Sequence, residues 1–338
     1  MKIIITDCDH GFFDPEKKVI EGAGHILDIH QCKSPEEVVR AAHDADAIIC
    51  QYARINKEVL QSMPKCRVVG RYGVGLDNID IEAATELGIK VVHTPFFCFP
   101  EVADHAMGLI LALARQLVNM NNLIKSNQNK SCMNYGNMLS YMKNVERPTR
   151  QIIGIIGFGK AGKEVAKRAM SFGFKIIAFD PNIPPEIFSA HCVCKVSLEE
   201  LLQKSDIVTL HAPLTAETRG LIDKTALSRM KPSAYLVNTA RGGIVNEAAL
   251  IEALQNNCIA GAALDVTEIE PIPNNHPFLS MDNVLLTPHV SFYSNTSIQD
   301  MKMKVADYTV NALSGQGKYA LANPKVLKNT QDFIMWHT

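Results

Sequence analysis

The chain has 338 residues, of which 47% are hydrophobic. This length favours two domains, because a single hydrophobic core rarely grows past about 250 residues. The 34 Lys and Arg residues nearly balance the 35 Asp and Glu residues, and no run of like charge is present. Nucleic acid and anionic membranes are therefore not expected partners.

The nine cysteines are scattered, with neither a Cys-x-x-Cys pair nor a paired His spacing. We therefore expect no disulfide framework and no metal site. Residues 1–6 form an apolar strand pattern without a cationic leader, and no apolar run reaches the ~20 residues that span a bilayer. These features favour a cytoplasmic protein.

Short β-branched runs alternate with polar helical stretches, which predicts βαβ units and parallel sheets. The first group of predicted strands covers residues 3–6, 26–29, 47–50, 68–69 and 91–92. The second group covers residues 152–156, 176–179, 207–210, 235–238, 261–265 and 284–287. We expect an α/β protein with two doubly wound parallel-sheet domains: a Rossmann nucleotide domain and a smaller flavodoxin-like domain.

A mostly apolar helix is predicted over 101–124, led by Pro100, which suits a helix start. We interpret it as the connector between the domains and, over 102–117, as a candidate dimer surface. Residues 125–150 lack a clean period and predict a surface excursion. A last helix, over 296–313, is expected to return to the first domain. The domains would then be 1–100 with 293–338, for the substrate, and 101–292, for the nucleotide.

A glycine-rich turn, Gly157-Phe158-Gly159-Lys160-Ala161-Gly162, follows a buried-strand run and precedes a helical stretch. In such a turn the first glycine permits the tight bend, the second lets the backbone approach a pyrophosphate, and the third lets helix and strand pack closely. The diphosphate would lie at the helix N-terminus, where free amides favour an anion. This context predicts a dinucleotide site.

The next predicted strand ends in Asp180, whose carboxylate can accept hydrogen bonds from both hydroxyls of the adenosine ribose. The same charge would repel a 2′-phosphate, and Pro181 and Asn182 supply no compensating cation. NAD is therefore the expected cofactor, in preference to NADP.

Three more segments end predicted strands of the second domain, where open α/β sheets place their ligand crevice: 238–243, 264–271 and 287–289. Together with the loop 71–80, they resemble the D-isomer-specific 2-hydroxyacid dehydrogenase family. That family includes phosphoglycerate dehydrogenases, glyoxylate and hydroxypyruvate reductases, and the C-terminal-binding corepressors. The resemblance spans roughly residues 68–291.

The resemblance implies a catalytic set of Arg241, Glu270 and His289. An imidazole can exchange the proton that reduction of a 2-oxo acid requires at the carbonyl oxygen. A carboxylate against the other ring nitrogen would orient the ring, and an arginine fork can grip the substrate carboxylate. Singly, Arg241 could instead be a residue of a solvated turn, Glu270 part of a loop surface and His289 a strand-end cap.

The resemblance also implies several cofactor contacts. Asp265 would receive the nicotinamide carboxamide, and Thr239 and Ala240 would line the nicotinamide. Lys160 and Ala161 would lie along the diphosphate. The residues assigned to the adenine side are His211, Pro213 and Thr218, although His211 could equally be a packed strand-end histidine.

In the first domain, the backbone amides of Val74 and Gly75 would meet the substrate carboxylate. Arg54 would either read a second anionic group on the substrate or be a surface arginine. Three phenylalanines, Phe96, Phe97 and Phe99, could form an apolar wall of the pocket or part of the core.

The leading interpretation is an NAD-dependent oxidoreductase that interconverts a 2-oxo acid and a D-2-hydroxy acid, acting as a homodimer. Two alternatives remain open. One is an NAD(H)-sensing binding protein like the corepressors, and the other is phosphite-type oxidation on the same fold.

Overall fold

The computed structural model describes residues 1–125, 142 and 145–327. The chain forms two compact units, which we call unit 1 (Met1–Phe97 and the chain from Ser294 onward) and unit 2 (Cys98–Tyr293). The expected domain boundaries differ from these by a few residues. Of the nine cysteines, Cys132 lies outside the described residues and the other eight are free thiols.

Strands and helices alternate along the described chain. The strands are β1 (Lys2–Ile5), β2 (Ile26–Ile29), β3 (Ala47–Cys50), β4 (Val68–Arg71), β5 (Lys90–His93), β6 (Ile152–Ile156), β7 (Lys175–Phe179), β8 (Cys194–Lys195), β9 (Ile207–Leu210), β10 (Tyr235–Asn238), β11 (Gly261–Leu264) and β12 (Val284–Leu286). The helices are α1 (Asp14–Ile20), α2 (Pro35–Ala42), α3 (Lys57–Gln61), α4 (Ile81–Glu86), α5 (Phe99–Ala114), α6 (Leu117–Lys125), α7 (Lys160–Ser171), α8 (Pro185–Ala190), α9 (Leu198–Lys204), α10 (Lys224–Arg229), α11 (Glu247–Gln255) and α12 (Asn295–Ser314). None of these described helices is both long and apolar enough to cross a membrane.

Unit 1 contains a parallel sheet with the strand order β2-β1-β3-β4-β5, which is the flavodoxin-like order. Three of its helices begin with a side-chain cap, in which Ser34, Asn56 and Asp80 each accept a hydrogen bond from the amide three residues later. The last helix, α12, starts with a capping box between Ser294 and Ser297 and packs against α1 and β4.

Unit 2 contains a parallel sheet with the order β12-β11-β10-β9-β6-β7-β8. This is the Rossmann order with one further edge strand, so the expectation of two doubly wound domains is confirmed. The strand that the sequence did not predict is β8, because two residues are too few to show an alternating pattern. All the strands are parallel, and their carboxyl ends therefore meet at one edge of the sheet.

The prediction of one continuous helix over 101–124 is wrong at the centre of that range. It breaks between α5 and α6 at Gln116, which has a left-handed φ of 52°. The apolar face of α5, including Ala106, Met107 and Ile110, is buried in the core of unit 2. This packing accounts for the apolar pattern without a second chain. Most of the predicted excursion over 125–150 lies outside the described residues.

A buried ion pair joins the two chain segments of unit 1. The Nζ of Lys302, on α12, lies 2.8 Å from Oε1 of Glu16, on α1, and both side chains are fully buried. The same oxygen accepts a 2.6 Å hydrogen bond from the hydroxyl of Tyr72. The ammonium group also lies 4.6 Å from the ring centre of Phe13 and 4.9 Å from that of Phe12. The contacts of the Lys302 ammonium therefore include one carboxylate, one thiol and aromatic faces.

Replacing Lys302 should test this pair. We expect Lys302→Met to lower the free energy of unfolding by about 3–5 kcal/mol, because it leaves the Glu16 carboxylate buried without its cation. The double variant Lys302→Met, Glu16→Gln should recover much of that loss, since no buried charge remains. Urea denaturation followed by circular dichroism measures both values. Equal stability of Lys302→Met and the native protein would contradict the assigned role.

Candidate functional site

The glycine turn between β6 and α7 is shaped by close backbone contacts. Gly157 has a φ of +91°, and a Cβ at this residue would overlap the backbone of His211 and Ala212. A Cβ at Gly162 would overlap the carbonyl oxygen of Gly157. At Gly159, by contrast, an added Cβ would meet nothing within 4 Å. The turn therefore packs tightly on the protein side and leaves open space beside the first turn of α7, where an anion would lie.

Asp180, at the carboxyl end of β7, holds this turn in place. Its Oδ2 accepts a hydrogen bond of 2.9 Å from the amide of Phe158, and its Oδ1 accepts one of 2.9 Å from the amide of Asn182. The ring of Phe158 is buried and stacks on Phe188, with 4.6 Å between the ring centres. Asp180 thus orders the turn through two backbone amides.

Lys160 and Ala161 are the first two residues of α7. The Nζ of Lys160 lies 6.0 Å from the ring centre of Phe99. Because the amides at the start of a helix lack partners within the helix, both residues can offer N–H groups to a diphosphate.

The histidine at the end of β9 is turned into the protein. His211 Nε2 lies 2.9 Å from the hydroxyl of Thr209, and its Nδ1 is buried without a partner among the described residues. Burial lowers the pKa of His211 to about 4. Nearby, the hydroxyl of Thr218 donates to the carbonyl of Pro213 at 2.6 Å and orders the following turn.

The segment after β10 carries Arg241. The side chain of Asn238 holds the backbone of this segment, because it donates to the Arg241 carbonyl at 2.9 Å and accepts from the Ala240 amide at 3.0 Å. The Arg241 guanidinium donates to the Ala240 carbonyl at 2.7 Å. The hydroxyl of Thr239 is buried without a partner among the described residues, and such an atom calls for a ligand or water.

His289 and Glu270 form a short hydrogen bond at this edge of the sheet. His289 Nδ1 lies 2.6 Å from Oε2 of Glu270. Because an ionised carboxylate only accepts, Nδ1 carries the proton. The side chains are 39% and 37% exposed, and Nε2 of His289 makes no hydrogen bond to another described residue. Nε2 is therefore not committed to another described residue.

Asp265 fixes the turn that carries His289. The carboxylate is buried and accepts hydrogen bonds from the hydroxyl of Thr287 at 2.6 Å and from the amides of Val290 and Ser291 at 2.9 Å each. Its carbonyl accepts from the His289 amide at 2.8 Å, and His289 has a φ of 51°. The ring of His105, on α5, adds a contact of 3.0 Å from Nε2 to the Thr287 hydroxyl. Sequence reasoning missed His105 and Thr287.

The candidate residues of unit 1 lie in loops at the carboxyl ends of β3 and β4. Arg54 is exposed, and the loop before it is shaped by Asp7, whose carboxylate accepts from the amides of Gln51, Tyr52 and Ala53. Val74 and Gly75 follow β4. Of the phenylalanines considered as a pocket wall, Phe97 is buried, Phe96 is 39% exposed and Phe99 is half-buried.

Comparison with known proteins identifies the family. Residues 107–291, more than half of the chain, match the model of the NAD-binding domain of the D-isomer-specific 2-hydroxyacid dehydrogenases. The chain belongs to this family. It is an NAD-dependent oxidoreductase, and the sequence prediction of an enzyme and of the NAD cofactor is confirmed.

Two relatives of this dehydrogenase carry different named activities within the family. It is 39% identical to a glyoxylate reductase of Thermofilum pendens over 313 residues, which cover 89% of each protein. It is 36% identical to a D-3-phosphoglycerate dehydrogenase of Methanocaldococcus jannaschii over 318 residues. That match covers 94% of this chain but only 58% of the relative, which is the longer protein.

Solved structures also support the assignment to this family. A protein of Thermus thermophilus matches with a TM-score of 0.84 and 30% identity, over 95% of this chain and all of the other. The D-lactate dehydrogenase of Aquifex aeolicus, complexed with NAD and lactic acid, matches with a TM-score of 0.81 and 27% identity, over 93% and 96% of the two chains. The open space beside Gly159 and the unpartnered hydroxyl of Thr239 fit a bound NAD.

The partly buried imidazole of His211 makes a testable contribution to stability. Its folded pKa of about 4 lies below the ordinary value of 6.5, so the unfolded chain takes up the proton first as the pH falls. The neutral site therefore stabilises the fold fully above about pH 6.5, and this contribution is lost progressively down to pH 4. The total loss is roughly 3 kcal/mol.

His211→Gln removes this titration while keeping a group that can bond to Thr209. Urea unfolding of both proteins between pH 7 and pH 4 should show the native protein losing stability relative to the variant. Parallel curves would show that His211 does not titrate on unfolding.

Proposed function

We propose that this dehydrogenase interconverts a 2-oxo acid and a D-2-hydroxy acid, with His289 as the acid/base, Glu270 as its partner and Arg241 as the substrate anchor. The observation that carries the proposal is the 2.6 Å hydrogen bond from His289 Nδ1 to Glu270. It leaves Nε2 as the nitrogen that exchanges a proton. The reaction also needs a hydride, which NADH bound to the Rossmann unit would provide.

In the direction of reduction, the bound cofactor would supply a hydride to the carbonyl carbon, and Nε2 of His289 would give a proton to the carbonyl oxygen. The Glu270 carboxylate at Nδ1 orients the ring throughout. In the direction of oxidation, the neutral ring accepts the hydroxyl proton from the substrate.

Arg241 is suited to hold the substrate carboxylate. Its guanidinium presents a planar fork that can donate two parallel hydrogen bonds to one carboxylate. Its backbone is fixed by Asn238 on both sides, so the fork extends from an ordered segment. Holding the oxo acid in one orientation lowers the entropic part of the barrier.

The remaining site assignments follow the same proposal. Asp180 binds the adenosine ribose, and Lys160 and Ala161 meet the diphosphate, whereas Thr239, Ala240 and Asp265 surround the nicotinamide. His211 contributes packing at the adenine side, since its ring points inward. Val74, Gly75 and Arg54, in the loops of unit 1, stay proposed substrate residues, with Arg54 as the candidate for a second anionic group.

The side chain of the substrate is best found with a panel. NADH oxidation at 340 nm should be measured with glyoxylate, hydroxypyruvate, 2-oxoglutarate and branched 2-oxo acids, and NAD reduction with phosphite. Turnover of at least one oxo acid is expected. Tight NADH binding without any turnover would favour a cofactor sensor, and turnover of phosphite alone would favour the other alternative.

Removing the proposed acid/base tests the mechanism directly. We expect His289→Ala to lower kcat by at least ~10²-fold, because a positioned acid/base contributes that much or more. The affinity for NADH, measured by fluorescence titration, should stay nearly unchanged. His43→Ala, on the exposed end of α2, is a control with native activity. A His289→Ala enzyme with most of its activity would remove this histidine from the mechanism.

The proposed contact between Asp180 and the adenosine ribose can be tested through the preference for NAD over NADP. Asp180→Ala should weaken NAD binding and raise the relative use of NADP, because the charge that repels a 2′-phosphate is gone. Asp180→Asn separates charge from structure, since an amide oxygen can still accept one of the two backbone bonds. Both variants should shift the ratio of kcat/KM for NADP and NAD in the same direction. An unchanged ratio would count against Asp180 as the ribose ligand.

We further propose a cytoplasmic homodimer. The expected contact surface over 102–117 is reduced by the burial of α5 in unit 2. Exposed apolar residues just after the break between α5 and α6, including Leu117 and Val118, favour a second copy there instead. Light scattering at micromolar concentration measures the mass.

A further inference from the structure

The loop that carries Glu270 is exposed and has no regular secondary structure. Within the loop, the amide of Thr267 donates to Oε1 of Glu270 at 3.1 Å, and the hydroxyl of Thr267 donates to the carbonyl of Ile269 at 2.8 Å. These contacts order the loop internally. They do not fix it relative to the sheet, so the 2.6 Å contact to His289 needs a further support.

A second histidine–carboxylate pair provides that support. Oε2 of Glu247, the first residue of α11, accepts a 3.0 Å hydrogen bond from the amide of Glu268. Oε1 of Glu247 lies 3.0 Å from Nε2 of His276, and the two side chains are only 15% and 13% exposed. The largely buried Glu247 carboxylate therefore ties the Glu270 loop to the start of a helix.

The protonation of His276 follows from its contacts. Nδ1 accepts a hydrogen bond of 3.3 Å from the amide of Phe278, so the ring proton is on Nε2 and is donated to Glu247. The ring also lies 4.7 Å from the ring of Phe278, which is buried. Both ring nitrogens of His276 are thus used, and the ring is anchored to the core.

The same helix start is linked to the arginine of the proposed site. Gly242 directly follows Arg241, and a Cβ at this glycine would overlap the backbone of Thr267 and Glu268. The segment from Arg241 to Glu247 therefore packs against the Glu270 loop at one end and binds it through a carboxylate at the other. A shift of either segment would alter the position of the other.

We propose that Glu247, held by His276, is a positioning residue that keeps Glu270 in contact with His289. This inference rests on the proposed function. Glu247 acts on the reaction only through the position of the loop, and the length of its side chain matters more than its charge. Two substitutions separate these properties, because Glu247→Asp keeps the charge at the helix N-terminus but is too short, whereas Glu247→Gln keeps the length.

We expect Glu247→Asp to lower kcat about ten- to a hundredfold, the range seen when a group that orients a functional ligand is lost. Glu247→Gln should lower kcat less than Glu247→Asp, because its amide oxygen can still accept from Glu268, although its NH2 group then faces the N–H of His276. KM for NADH should change little in either variant. The matched control is Glu252→Asp, on the same helix, where an exposed carboxylate pairs with Lys224. Similar kcat values for all three variants would overturn the proposal.

A double-mutant cycle tests whether Glu247 acts through Glu270. In the Glu270→Ala background, Glu247→Asp should cause no further loss of kcat, since there is no longer a carboxylate to position. Additive losses would overturn the proposal. His276→Phe provides an independent variant that keeps the ring packing but removes the hydrogen bond to Glu247, and it should lower kcat in the same direction.

Failure of the proposed function and failure of the positioning role give different results. If Glu270→Ala alone keeps native turnover, the acid/base pair of the proposed function is wrong, whatever Glu247 does. If Glu270→Ala loses turnover and Glu247→Asp does not, only the positioning role is wrong. Circular dichroism and NADH titration of every variant separate these outcomes from misfolding.

Discussion

The arrangement of the site in unit 2 depends on the buried carboxylate of Asp265. One oxygen accepts from the Thr287 hydroxyl and the Val290 amide, and the other accepts from the Ser291 amide. A buried ion is stable only when such donors surround it. The buried carboxylate in turn holds these donors in place, because they must stay close to its charge. The turn between Thr287 and Ser291 is therefore fixed, and His289 lies within it.

This constraint explains why His289 can keep a left-handed backbone. A φ of 51° is unfavourable for a residue with a side chain, and it persists when the surroundings hold it. Here the His289 amide donates to the Asp265 carbonyl, while the carboxylate of the same aspartate binds the next two amides. The backbone turns sharply as a result, and the imidazole projects to where Glu270 can reach it.

Much of the fold could be predicted from the sequence, because its signals are local. The buried-strand runs and the glycine turn before α7 each occupy one short window, and the strands they predicted are present. The failures were also local in cause. β8 has two residues, and the break at Gln116 depends on one backbone angle in an otherwise apolar helical pattern.

The supports of the site could not be predicted in the same way. His105 reaches Thr287 across 182 positions of sequence, and His276 reaches Glu247 across 29, so no spacing indicates either contact. A weak signal existed for His105, which is a polar residue in an apolar helix. The roles of Arg241, Glu270 and His289 came from resemblance, because each residue type is common at a strand end.

The two histidine–carboxylate pairs show why one imidazole is suited to chemistry and the other to support. At His276 both ring nitrogens are bonded, the ring packs on a buried phenylalanine, and a change of protonation would break the bond from the Phe278 amide. At His289 one nitrogen is bonded and the other has no hydrogen bond to a described residue, so a proton can be exchanged there without breaking the bond to Glu270. The same two residue types therefore suit the two different roles proposed for them, and the difference between the pairs is the number of bonded ring nitrogens.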